Sequence, residues 1–261
     1  MALRLRLSWT DSNGAELGHR VYRADVPMDP DEMPAPVATL GPDVTEYVDE
    51  SVLEGSTYFY RVGAFTAFME KISAEVSRTV ALIPQIGEYW PEQGGYYAGV
   101  TALGFYLIVA PKDAEVTRQW KTANTDTPGT AYVSTASAND LRAAVEAAGI
   151  ASHPAMQYCA AYAGGGFTDW ALPGWAERAV IDANLNPATT VAPLFQSGGA
   201  QQYRNGATHT SAADWWYWLG AQTSASAARM HRPASPGALG TWPSKTETRP
   251  IRPIRIVPIS S

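Results

Sequence analysis

The residues able to do chemistry are few and scattered. A single thiol, Cys159, rules out a disulfide, a paired-thiol redox site and a Cys-rich metal site within the 261 residues. His153, His209 and His231 are too far apart for a metal-ligand spacing, and His19 falls in an alternating, strand-like stretch. Gly164-Gly165-Gly166 has the composition of a phosphate loop, but a helical pattern precedes it where such a loop needs a strand. No Gly-x-Ser-x-Gly nucleophile elbow occurs either. These residue types lead us to expect no enzymatic activity, no bound metal and no cofactor.

What remains is recognition. Tyr203, Asn205 and His209 lie in a Gly-, Gln- and Asn-rich loop, and Arg229, His231, Arg232 and Trp242 in the long segment before the last strand. Rings, amides and guanidinium groups on loops bind partners by shape, aromatic contact and hydrogen bonds, so these are the candidate binding residues. Nine Trp and thirteen Tyr against 17% charged residues suit such a role. The net charge of −6 disfavours nucleic acid and anionic membrane as partners. The charge is uneven: residues 1–84 carry seven Lys/Arg against thirteen Asp/Glu, whereas residues 229–255 carry six against one. That basic end is either a solvated strand edge studded with Arg or a surface for an anion or partner. Met1 leads directly into Leu3-Arg4-Leu5-Arg6-Leu7 with no apolar leader, and no run approaches the ~20 apolar residues that span a bilayer. Neither a cleaved export signal nor membrane insertion is expected.

The elements that must position these groups fall into two kinds. Early in the chain Leu3, Leu5, Leu7 and Trp9 alternate with polar residues, Asn13-Gly14 supplies a turn, and residues 19–23, 37–40, 46–48, 57–62 and 74–82 read as further strands. With no helical period there, a small antiparallel sandwich is the economical arrangement. Residues 84–91 read as a junction, and 94–100 with 105–110 as a hairpin. A helix at 138–148 places Leu141, Ala144, Val145 and Ala148 on one stripe, with Ser137 or Asn139 as cap and Gly149 as stop. A second at 154–163 aligns Met156, Cys159, Ala160 and Ala163, making Cys159 a small buried hydrophobe. A third at 173–183 opens on Pro173 in its first turn. The aromatic run Trp215-Trp216-Tyr217-Trp218 and a strand at 251–259 complete the chain.

Two resemblances attach to these patterns. The run Leu53-Glu54-Gly55-Ser56-Thr57-Tyr58-Phe59-Tyr60-Arg61-Val62 resembles the fibronectin type III pattern around its strand F. The likeness covers about residues 2–83 and implies that Tyr58 makes a tyrosine corner and Trp9 packs the core. It also implies that the chain starts at strand B, with strand A absent or supplied by another chain. Residues 87–259 resemble the C-type-lectin-like domain found at the C-terminus of collagen-like adhesins and in phage tail proteins. Gly94-Gly95, Val109-Ala110 and Trp120 follow the family's order, and Asp169-Trp170-Ala171-Leu172-Pro173 matches its Asp-Trp-x-Leu-Pro signature in full. Tyr217-Trp218 opens like the family's Tyr-Trp-Ser-Ser-Thr-Glu segment, then departs at Leu219-Gly220-Ala221-Gln222; Arg252-Pro253-Ile254-Arg255 is a loose match to its Arg-x-Val-Arg.

This second resemblance implies structural roles: Trp170 and Leu172 in the core, Pro173 in a first helical turn, Asp169 accepting backbone hydrogen bonds, and Tyr217 and Trp218 packed. The Glu-Pro-Asn, Gln-Pro-Asp and Trp-Asn-Asp triplets of calcium-dependent lectins are absent, and Pro91-Glu92-Gln93 is a poor substitute. The thiol pair that related copper-dependent oxidases use is absent too. The expected architecture is therefore a multidomain β plus α+β protein, with a fibronectin type III-like β-sandwich at 1–84 and a C-type-lectin-like domain at 85–261. The expected function is that of a non-enzymatic bacteriophage virion protein of the tail or fibre apparatus, assembled in the host cytoplasm. Its partners would be other virion proteins, a host-surface glycan or protein receptor, and further copies of itself in a homo-oligomer. A decoration or minor tail protein making contacts within the particle is the alternative, and a bacterial surface adhesin is a third reading.

Overall fold

The computed structural model describes residues 4–11, 14–80, 82–133, 135–204, 216–233 and 243–259. It is a mixed β and α+β structure with several sheets and short helices, in two compact units that divide between Ile83 and Pro84.

The first unit contains strands alone among its described elements: β1 (Leu5–Ser8), β2 (Gly18–Ala24), β3 (Ala38–Leu40), β4 (Glu46–Asp49), β5 (Thr57–Phe65), β6 (Glu70–Ile72) and β7 (Val76–Thr79). β1 pairs with β4 in a two-stranded antiparallel sheet, and a five-stranded sheet runs β3-β2-β5, with β6 and β7 both on the far edge of β5. The period-2 alternation turns Leu5, Leu7 and Tyr47 of the small sheet toward Val21, Tyr58 and Tyr60 of the large one, so the two share one core. Asp49 is the buried acid in this core. Burial would raise its pKa, but hydrogen bonds from Ser51, Tyr60 and Arg23 hold the carboxyl below its ordinary value. Leu53 N–H donates to the hydroxyl of Tyr58 at 3.1 Å, tying the start of β5 back to the chain five residues earlier.

The second unit begins with β8 (Tyr89–Trp90), β9 (Gly95–Val100) and β10 (Phe105–Val109). It continues through β11 (Val116–Gln119), α1 (Ala138–Ala147), α2 (Pro154–Ala161), α3 (Trp175–Asn184), β12 (Tyr217–Gln222), β13 (Ala228–His231), β14 (Thr248–Ile251) and β15 (Ile254–Pro258). The main sheet runs β15-β10-β9-β8, and β11-β14 and β12-β13 form two further pairs. Three fully buried tryptophans centre the core, and each indole N–H meets a backbone carbonyl: Trp120 to Leu219 at 2.8 Å, Trp218 to Arg118 at 2.9 Å and Trp170 to Gly164 at 3.2 Å. Gly94 and Gly165 both have positive φ, and each lies where the other's Cβ would strike backbone within 2.5 Å. The triple glycine thus lets two turns touch.

Local sequence rules explain the helix ends. α1 starts from a reciprocal capping box, with Ser137 Oγ accepting from Asp140 N and Asp140 accepting from Ser137 N. Cys159 is completely buried on α2. α3 begins at Trp175, two residues after Pro173, because Glu177 turns back onto the Gly174 amide at 2.9 Å and fixes the entry there; Pro173 instead offers its carbonyl to Gly220 N–H. This corrects the expectation that Pro173 lies within the first turn. The last strand divides at Arg252-Pro253 into β14 and β15, because a proline cannot donate to a continuing ladder.

Two arginines of the basic C-terminal stretch are internal rather than solvent-facing. Arg252 is 2% exposed and caps the carbonyls of Ala110 and Gln201, together with the Gln201 side chain, at 2.7 Å each. Arg255 is likewise buried over the Phe167 ring, bonded to Gln93 and to both carboxylate oxygens of Asp169. A guanidinium fork has five donors for irregular backbone, which is why these arginines can sit inside. The same pair corrects the role of Asp169: it accepts from a side chain, where backbone amides were expected.

Candidate functional site

Of the seven candidate binding residues, Asn205, His209 and Trp242 lie outside the described residues. Tyr203 and His231 are not surface contacts. Tyr203 is buried with its ring edge-on to Tyr217 at 5.1 Å and under the Arg252 guanidinium at 5.0 Å. His231 is 1% exposed, with Nδ1 3.2 Å from Asp182. Tyr203 covers the core because its Gly/Gln-rich loop is held, with Tyr217 Oη accepting from Arg204 N at 3.0 Å, and His231 is turned inward at the end of β13 to Asp182. Arg229 and Arg232 are half-buried.

Around Arg229 the structure assembles a surface that the loop-based reasoning only partly found. Trp175, Arg178 and Asp182 lie on one stripe of α3 by their spacing of three and four residues. Arg178 stacks on Trp175 at 4.4 Å and pairs with Asp182 at 2.7 Å, and Asp182 also faces His231 on β13. From β13 the Arg229 guanidinium lies 3.9 Å above the half-exposed ring of Tyr132, which meets Trp175 edge-on at 5.1 Å. Arg232 lies 5.3 Å from the half-exposed Trp216 ring. Burial lowers the pKa of Arg229, yet a guanidinium stays charged throughout the physiological range. The result is a row of two half-exposed rings, Tyr132 and Trp175, each carrying a guanidinium over one face. Such a row suits a ligand that brings an apolar ring face and hydroxyl or carboxylate edges, and it pays little side-chain entropy because the rings are already stacked.

Two other polar groups are sealed within the second unit. Glu115 accepts from Lys112 at 2.8 Å and Tyr217 at 2.6 Å and pairs with Arg204; burial opposes its charge, but Lys112 beside it holds the carboxyl below its ordinary value. Lys121 and Lys245 share a second network. Lys121 Nζ bonds the Asp126 carbonyl at 2.6 Å and Thr127 Oγ1 at 2.9 Å, and Lys245 Nζ bonds the Thr125 carbonyl at 2.9 Å and the Gln222 side chain. Burial, with Lys121 nearby, pushes Lys245 down to about 8, and burial lowers His153, whose Nε2 meets Thr127 Oγ1 at 2.9 Å. Each network fastens loops to the core; neither opens on a described cavity.

The first unit contributes a groove of about 610 Å³ between β1 and β7, lined by Leu5, Leu7, Trp9, Tyr60 and Val76 with Arg4 and Arg78 at its rim. Sequence reasoning also missed a cluster at the β1–β2 turn, where Asp11, Glu16 and His19 converge. Its signal was the spacing Asp11-x4-Glu16-x2-His19 between two strand-like stretches.

Comparison with known proteins adds little. No family model matches the chain, and no curated protein does. Among solved structures, a β-1,2-glucanase from Parabacteroides distasonis is similar at a TM-score of 0.26 and 25% identity, over 31% of this chain. The chain spans 11% of that enzyme's length. A likeness of that extent carries no argument about fold or activity.

Proposed function

We propose that this chain is a non-enzymatic recognition protein of a bacteriophage particle, belonging to the tail or fibre apparatus, which uses its second unit to engage a host-surface glycan or protein. The observation that carries this reading is the stacked row of Tyr132, Trp175 and Arg229, half-exposed and held from behind by Arg178, Asp182 and His231. It resembles a contact surface in having rigid aromatic anchors edged by donors. The buried ion pair at Glu115 and the hydrogen-bonded Lys245 are consistent with binding rather than catalysis, because perturbed groups in an active site must reach a substrate.

The first unit is read as fibronectin type III-like. In support, a two-stranded and a five-stranded sheet share one core, and Tyr58 accepts the amide of Leu53. The second is read as C-type-lectin-like. In support, Ile254 of β15 exchanges two backbone hydrogen bonds with Ala171 inside the Asp-Trp-x-Leu-Pro run, and Arg255 ties Asp169 to the same strand. In the particle the chain would act beside other virion proteins and as a homo-oligomer.

The test is binding of the labelled full chain to a panel of intact bacteria, with and without chelator. Saturable, chelator-resistant binding to some strains is expected. Absence of binding even in multivalent form, with the protein folded, would sink the host-recognition reading. A second reading, a decoration or minor tail protein, is favoured by the groove beside the unpaired edge of β1, which has the shape that strand addition from a neighbour would fill.

A further inference from the structure

We infer that the β1–β2 turn of the first unit is a binding site for a divalent transition-metal ion of the zinc class, with Asp11, Glu16 and His19 as its protein ligands. One carboxylate oxygen from each acid and one imidazole nitrogen all lie within 4.8 Å of one another. Atoms that bind one zinc ion at about 2.0–2.2 Å stand roughly 3–4 Å apart, so the three need close only slightly to share an ion.

A second observation points to a ligand. His19 is 2% exposed and its Nδ1 has no hydrogen-bond partner; Glu16 Oε2 is also buried and unpartnered. Buried polar atoms are normally satisfied, and two orphaned ones in a single cluster call for a missing partner. A lysine is near: Lys71 helps to line the adjoining cavity of about 170 Å³, with Trp9, Thr10, Asp11 and His19. Lys71 donates to neither His19 Nδ1 nor Glu16 Oε2, which both remain without a hydrogen-bond partner. A metal ion uses all three groups, and the cavity leaves room for the waters that complete its shell.

The donor set selects the ion. One nitrogen and two oxygens suit zinc, manganese, cobalt or nickel, whereas calcium and magnesium prefer oxygen alone. Because Asp11 and Glu16 lie in the connection and His19 on β2, the ion would clip the connection to the sandwich and stabilise the first unit. The inference is independent of host recognition, which is assigned to the second unit.

The test titrates the full chain, stripped with chelator and dialysed, with zinc chloride alone in a calorimeter near neutral pH. One ion per chain is expected, together with a rise in the unfolding temperature of the first unit. Asp11→Asn combined with Glu16→Gln keeps the shape of the turn and avoids the buried His19; it should weaken zinc binding by about a hundredfold or more. Magnesium in excess should not compete. Failure of the wild-type chain to take up zinc would overturn the proposal. So would equal uptake by wild type and double variant, which would place the ion on other histidines.

Discussion

Lys245 offers a quantitative check on the packing of the second unit. Its side chain is completely buried, with Nζ on the Thr125 carbonyl and the Gln222 side chain and 4.9 Å from the Trp120 ring centroid. Burial, with Lys121 adding repulsion and Asp126 opposing it, lowers the pKa from 10.5 to about 8. The unfolded chain therefore keeps a proton that the folded chain gives up between those two values. In that window the unfolded state binds more protons, so stability rises with pH. At about 1.4 kcal/mol for each unit of pKa difference, the full gain is about 3 kcal/mol. About 2 kcal/mol of it should be realised between about pH 7 and about pH 9.5. Buried tyrosines such as Tyr60 and Tyr217, whose pKa values burial raises, pull the other way as pH nears 10. Comparison with Lys245→Met cancels them, since both proteins contain them. The assay is urea unfolding followed by tryptophan fluorescence, which reports mainly the second unit because eight of the nine tryptophans lie beyond residue 84. The stability difference between wild type and Lys245→Met should move by about 2 kcal/mol in favour of wild type across that range. Parallel pH curves for the two proteins would refute the reasoning.

Three further outcomes follow from named contacts. Tyr58→Phe removes the acceptor of the Leu53 amide and should cost the first unit about 1 kcal/mol, measured by urea unfolding of the full chain followed through Trp9-sensitive near-UV dichroism. Arg255→Lys keeps the charge but loses the fork that spans Asp169 and Gln93; it should destabilise the second unit by about 2 kcal/mol, and an unchanged urea midpoint would show those bonds to be dispensable. The Cys159 thiol, buried and with its pKa raised by desolvation, should not react with a disulfide reagent in the native chain and should react fully once the chain is unfolded.

The fold was legible where periodicity is local. Alternation at Leu5, Leu7 and Trp9 located β1, and the stripe Leu141, Ala144, Val145 located α1, because each pattern is set by neighbours a few residues apart. The strands β11 and β14 were less legible: they pair with each other across more than 100 residues, as with Val116 opposite Ile251. Charge misled where geometry decides. Arg252, Arg255 and Lys245 read as surface because such residues usually are, but each meets carbonyls that irregular backbone leaves unpaired. The proposed contact surface was half legible. Arg229 and Arg232 were picked out in the segment before the last strand, while Trp175 and Tyr132 were passed over. Nothing in the sequence joins residue 132, the start of α3 and β13 until the chain folds them together.

The central claim is that this row of rings and guanidinium groups recognises a host surface. The direct measurement is equilibrium binding of wild type and of a Trp175→Ala, Arg229→Ala variant to a strain that wild type labels, with near-UV dichroism showing that the variant retains its packing. A loss of about thirtyfold or more in affinity is predicted, as expected when central anchors are removed. Unchanged binding by the folded variant would contradict the claim and leave the groove beside β1 as the surface through which the chain meets its partners.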